Sequence, residues 1–201
     1  MDTINELAAD ERTARIILAI ASEPGDTVTG WMIRTVGATD TVARAIGAEV
    51  PVGPDGDTWQ RRLAPRIDAA QARRVIADSE RHAMRVLIPG DAEWPAGIDA
   101  LGDGAPVALW AKGNPGLLTG PMWDRLTITG ARASTAYGEH VTTELVQSAV
   151  ADSRVVFSGG AYGIDGAAHR AALASNGSTV AVLAGGLDRL YPAGHTDLLT
   201  R

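Results

Sequence analysis

Ser158-Gly159-Gly160-Ala161-Tyr162-Gly163-Ile164-Asp165-Gly166-Ala167-Ala168-His169 is the stretch whose reading decides the fold. It follows Arg154-Val155-Val156-Phe157, a short run of the β-branched and aromatic residues that favour strands. An Ala-rich segment from Ala167 to Ser175 comes after it, with Asn176-Gly177 as its natural stop. Strand, glycine turn and helix in that order expose backbone N–H groups and a helix N-terminus together, a layout that suits an anion such as a phosphate. Gly159, Gly160 and Gly163 let the chain turn sharply and let a ligand come close to the backbone. A tight strand-to-helix turn with no ligand would place the same glycines in the same positions.

Working outward, Thr179-Val180-Ala181-Val182-Leu183 reads as the next strand. Upstream, Leu126-Thr127-Ile128-Thr129-Gly130 reads as a strand, and Tyr137 to Ala151 as a helix with Val141, Leu145 and Ala149 one turn apart. This βαβαβ order predicts an α/β, Rossmann-like, doubly wound parallel sheet, whose ligands collect at the carboxyl ends of the strands. Three loops fall on that edge: Gly130-Ala131-Arg132-Ala133-Ser134-Thr135, then Ser158 to Gly163, then Ala184-Gly185-Gly186-Leu187-Asp188. The Arg132 guanidinium stands two residues past its strand, placed to meet a phosphate held by the second loop, though a surface salt bridge would use it equally. Asp165 and His169 are one helical turn apart, acid first, the favourable order for an i,i+4 pair. No serine or cysteine nucleophile is tied to them by spacing, so both read as structural or ligand-contacting, with no catalytic residue expected. The candidate phosphate-binding set is therefore Gly130, Arg132, Ser158, Gly159, Gly160, Gly163, Asp165, His169, Gly185 and Gly186.

The N-terminal half reads differently. Ile4, Leu7, Ala8, Ile16, Ile17, Ala19 and Ile20 fall at helical spacing and predict a helix over residues 4–21. Trp31-Met32-Ile33 with Val36 predicts a second helix, and Thr39 to Ile46 a third. These outline a small helical domain over residues 1–50. Val50 to Thr58, holding Pro51, Gly53, Pro54, Asp55 and Gly56, is a turn-rich linker, and a basic amphipathic helix with Ile67, Ala70, Arg74, Ala77 and Arg81 completes residues 51–85. Strand-like runs at Val86-Leu87-Ile88 and Val107-Ala108-Leu109-Trp110-Ala111 open the third part, 86–201.

Composition bounds the rest. At 201 residues and 45% hydrophobic content the chain can bury a sizeable core, and it holds no apolar run of membrane-spanning length. There is no cysteine, and His82, His140 and His195 do not cluster at metal-ligand spacing, so neither metal nor cofactor is expected. Met1-Asp2-Thr3-Ile4-Asn5-Glu6 lacks the order of a signal peptide, and a cytoplasmic location with no membrane partner is the expectation. The net charge of −6 is unevenly spread: seven arginines (61, 62, 66, 73, 74, 81 and 85) stand against Asp68, Asp78 and Glu80 between residues 60 and 85.

The glycine stretch, together with Ala172-Leu173, Gly177, Thr179 to Leu183 and Tyr191-Pro192, resembles the DprA/Smf family of DNA-processing proteins. Gly130-Ala131-Arg132 with Tyr137-Gly138 is similar to the family's Gly-Ser/Thr-Arg loop. Trp94-Pro95, Leu101, Ala105-Pro106-Val107 and Trp110-Ala111-Lys112-Gly113-Asn114 resemble its upstream segments, and the N-terminal helices resemble its SAM-like or helix-hairpin domain. The resemblance implies an extended Rossmann fold that binds single-stranded DNA with little sequence preference, helps load a RecA-type recombinase in natural transformation and recombination, and often forms a homodimer. It implies a binding protein, not an enzyme, with Arg132 as the loop arginine. Three positions depart from the pattern: Ala131 replaces a hydroxyl residue, His195 stands where asparagine is common, and the sequence stops at Arg201, short of the Arg-Asn-Arg half of the sheet and any winged helix. On that count the chain reads as C-terminally truncated.

Two other functions fit a glycine-rich Rossmann-like turn. One is a nucleotide-sensing module that regulates a partner. The other is a nucleoside monophosphate glycosidase, whose Pro-Gly-Gly-x-Gly-Thr-x-x-Glu stretch is matched here only by Ala184-Gly185-Gly186-Leu187-Asp188, without the catalytic glutamate.

Overall fold

Side-chain caps mark out the helices from the first residues onward, in a computed structural model that describes residues 3–48 and 55–201. The part of the expected linker before Asp55 lies outside the described residues. Thr3 and Glu6 form a capping box on α1 (Ile4–Leu7). Asp10 then accepts the Thr13 amide to start α2 (Glu11–Ala21), so the single helix expected over 4–21 is two. The apolar spacing runs through the break, and the carboxylate cap overrides it. Asp26 caps α3 (Thr27–Val36), and Gly37 (φ +84°) turns the chain directly into α4 (Ala38–Ile46). α5 (Gly56–Leu63) begins inside the stretch read as linker, and α6 (Ala69–Arg81) starts from an Asp68 cap.

The chain divides into two compact units, Met1–Gly113 and Asn114–Arg201. The division does not fall at residue 50, because Trp59, Leu63 and Ala72 pack into the same apolar core as Ile17, Leu18, Met32 and Val42, nor at 85, because Val107 packs against that core as well. Trp59, 1% exposed, donates its indole N–H to Thr29 Oγ1 at 2.8 Å, so the largest core side chain is also polar-satisfied. β1 (Arg85–Leu87) and β2 (Leu109–Ala111) pair antiparallel and close this unit as a two-stranded sheet of their own. The parallel pattern therefore does not extend to these upstream strands.

In the second unit, β3 (Arg125–Thr127), β4 (Val155–Ser158) and β5 (Thr179–Ala181) form a parallel sheet in the order β3-β4-β5. β3 and β5 end before the apolar runs read for them, while β4 extends one residue beyond its own, to Ser158. The crossovers are α7 (Ala136–Ala151), capped by Thr135, and α8 (Ile164–Ala174). These helices pack on each other and on β4 around Val146, Val156, Ala168, Ala171 and Ala172. The small residues of α8 permit the close approach, and burial of such a cluster contributes about 25 cal/mol per Å² of apolar surface. α8 ends where Asn176 (φ +55°) reverses the chain and the Gly177 amide returns to the Ala172 carbonyl at 2.8 Å. α9 (Thr196–Thr200), short and unmarked by strong periodicity, is not anticipated by the sequence. Among the described residues no helix is long and apolar enough to cross a membrane.

Candidate functional site

The loops after β3 and β4 meet. The Ile164 amide at the start of α8 donates to the Ala131 carbonyl at 3.2 Å. Gly163 (φ +77°) lies so close that a Cβ there would fall on the carbonyl oxygens of Ala131 and Arg132. Gly130 fits under the Ile164 side chain, where a Cβ would come within 2.8 Å of Cγ1. The backbone of residues 130–132 thus lies against Gly163 and Ile164 at the start of α8. The Arg132 side chain is exposed and has no ion-pair partner among the described residues.

The geometry of the glycine turn follows from its carbonyls. In a planar trans peptide the C=O and N–H point in opposite directions. The Ser158 carbonyl accepts from the Val182 amide of the chain leaving β5 at 2.9 Å. The Gly159 carbonyl accepts from His169 Nε2 at 2.8 Å, and the Ala161 carbonyl from the Gly166 amide at 3.2 Å. Each of these peptides is anchored to the fold by its oxygen, which turns the amides of Gly159, Gly160 and Tyr162 away from those anchors. Among the described residues those three N–H groups have no acceptor within the chain. The Ala161 amide is different: it donates to Asp165 Oδ2 at 3.3 Å. Three amides without an acceptor within four residues, at the head of a helix whose start packs against the loop that carries the exposed Arg132, are the donor set that suits an anion.

Asp165, His169 and Ser158 belong to the support of this turn. The Ser158 hydroxyl donates to the Ile128 carbonyl at 2.6 Å and is thereby consumed. Asp165 is buried, with Oδ1 3.4 Å from the Thr129 hydroxyl, and its Oδ2 fills the space a Cβ on Gly159 would need. His169 is 3% exposed, with Nδ1 2.7 Å from Thr179 Oγ1. Because a carbonyl only accepts, Nε2 of His169 carries a proton. Burial pushes the His169 pKa below its ordinary value, while the Gly159 carbonyl and the Asp165 carboxylate pull the other way. Thr179 also donates to the Val156 carbonyl at 2.9 Å. It links the imidazole to the sheet, a role its place at the head of an apolar strand did not announce.

His195 is the other residue that the sequence pattern did not place here. It is buried, and its Nδ1 lies 3.1 Å from the Gly160 carbonyl. Its ring meets Tyr162 edge-to-face with centroids 4.7 Å apart, leaving Tyr162 half exposed on the turn. Gly160 itself is covered by Leu183, Leu199 and the Tyr191 carbonyl. Gly185 and Gly186 are exposed on the third loop, with open space around the Gly185 Cα, and no hydrogen bond ties them to the turn.

The arginine-rich segment is mostly committed to ion pairs. Arg61 pairs with Asp57, Arg62 with Asp26, Arg66 with Glu23, Arg81 with Asp78 and Arg85 with Glu93. Among the described residues no cluster of three or more metal-ligating side chains occurs.

Comparison with known proteins converges on one family. Residues 85–201 match the family model described as DNA recombination-mediator protein A. The chain is 39% identical over 194 residues to the putative DNA processing protein DprA of Mycobacterium tuberculosis, covering 92% of this chain and 48% of the relative. It is 28% identical over 171 residues to DNA processing protein DprA of Bacillus subtilis, covering 85% of this chain and 52% of that one. The X-ray structure of DNA processing protein A from Streptococcus pneumoniae superposes with a TM-score of 0.66 at 24% identity, over 99% of this chain and 64% of that one, and supports the fold. The chain spans about half the length of the curated relatives it matches.

Proposed function

The chain belongs to the DNA recombination-mediator protein A (DprA/Smf) family, and from that premise we propose that it binds single-stranded DNA through the turn between β4 and α8. The observation that carries this reading is the set of amides at Gly159, Gly160 and Tyr162 that have no acceptor among the described residues, on a turn packed against the loop of the exposed Arg132. A single strand offers phosphates and base faces with little else in common along its length. Amides and a guanidinium hold the former, and the half-exposed Tyr162 ring suits the latter.

On this proposal Gly130 and Gly163 keep the two loops in contact, Arg132 binds phosphate, and Gly159 and Gly160 supply amides. Ser158, Asp165 and His169 support the turn from below. Gly185 and Gly186 leave the neighbouring rim open for the strand to pass. The protein acts by binding, without catalysis, in DNA processing during recombination and transformation. It hands the strand to a RecA-type recombinase, works as a homodimer, and does so in the cytoplasm.

Fluorescence anisotropy with labelled oligo-dT, competed by AMP and by a cyclic dinucleotide, tests the reading. Binding of oligo-dT that millimolar AMP does not reverse is the expected outcome. Saturable binding of the small nucleotide with no response to oligo-dT would make the turn a nucleotide sensor.

A further inference from the structure

Two buried imidazoles hold successive carbonyls of the glycine turn. His169, from the second turn of α8, donates to the Gly159 carbonyl, and His195, from a 3-10 turn 26 positions further along, lies against the Gly160 carbonyl. Both rings are wedged. His169 is fixed at its other nitrogen by Thr179, and His195 lies between the Tyr162 ring and Gly166, where a Cβ would come within 2.5 Å of His195 Cε1. The Gly160–Ala161 peptide is therefore bonded at both ends, its oxygen to His195 and its N–H to Asp165. That peptide lies between the Gly160 and Tyr162 amides, which have no acceptor among the described residues, and holding its plane limits how far either can turn.

We propose that His169 and His195 are positioning residues, which hold the Gly159 and Gly160 carbonyls inward and so aim the turn's amides at a bound anion without touching it. The proposal rests on the reading of the turn as an anion site. The charged groups around the imidazoles are Asp165 and Arg170 on α8. Arg170 borders the same face of Gly166 as His195, so the pair sits over a helix that cannot carry a larger residue at position 166.

The test follows backbone amide resonances of the full chain during titration with inorganic phosphate, and oligo-dT binding in parallel. In the wild type, phosphate is expected to shift the Gly160 and Tyr162 amides. His169→Leu and His195→Leu each remove one carbonyl partner and should weaken that response about five-fold, the size of one lost hydrogen bond. The donor-retaining variants His169→Gln and His195→Asn should stay within about two-fold of wild type. These two decide the matter if a leucine variant fails to fold. Leucine variants that titrate like the wild type, folded donor-retaining variants that lose the response, or a wild type in which phosphate moves neither amide would overturn the proposal. If phosphate moves both amides but oligo-dT does not bind, the positioning role stands and the DNA reading fails.

Discussion

At the scale of single residues, the site depends on positions where a side chain is either forbidden or fully committed. Gly163 combines φ +77° with carbonyl oxygens where a Cβ would lie, so both backbone strain and overlap oppose any other residue. Gly163→Ala is expected to destabilise the fold by about 2 kcal/mol or more in urea unfolding, while Gly185→Ala, in open space, should change it by less than about 0.5 kcal/mol. Equal effects from the two substitutions would contradict the account of the loop contact. The turn itself was legible in the sequence because glycines so spaced between a strand run and a helical run mark a sharp reversal, with or without a ligand. The hydrogen bonds of His195 and Thr179 were not, since a partner 35 or 10 residues away leaves no local signature.

At the scale of elements, the βαβαβ order was readable because apolar runs of strand length alternate with helical spacing and end at glycine or asparagine. The break between α1 and α2 escaped that reading, as one Asp10 side chain outweighs an uninterrupted apolar pattern. The arginines of residues 60 to 85 looked like a basic face, but Arg62 and Arg66 reach Asp26 and Glu23, some forty positions back in the chain. The Arg66–Glu23 pair is exposed and contributes little to stability, whereas the Asp26 carboxylate that Arg62 meets is buried. A more consequential pair ties α2 to the turn after β1. Arg12 grips Asp91 with both nitrogens, at 2.7 and 2.8 Å, and also donates to the Val86 carbonyl. The Arg12 hydrogen bonds hold the Asp91 carboxyl at about 2 against the upward push of burial, and the Ile88 amide adds to the effect. A carboxylate with a folded pKa below its unfolded value of about 3.9 contributes stability that is present above that value and is lost as pH falls toward 2. The contribution is on the order of 2 kcal/mol. Arg12→Ala should reduce the difference in unfolding free energy between pH 7 and pH 3, and an unchanged difference would show that the pair does not stabilise the unit.

At the scale of the whole molecule, the protein is acidic, yet its proposed ligand is a polyanion. The two facts are compatible because local N–H groups and one exposed guanidinium act at contact distance, whereas the net charge of −6 is spread over 201 residues and screened beyond about 8–10 Å at physiological salt. The same balance predicts modest affinity that weakens steeply as salt rises. The measurement that bears most directly on the cradle is oligo-dT affinity across ionic strength for the wild type and for Arg132→Ala. The expected result is a linear fall of log affinity with log salt, a weaker variant, and a slope shallower by about one ion per Arg132 phosphate contact. Equal affinity and equal slope for the two proteins would contradict it.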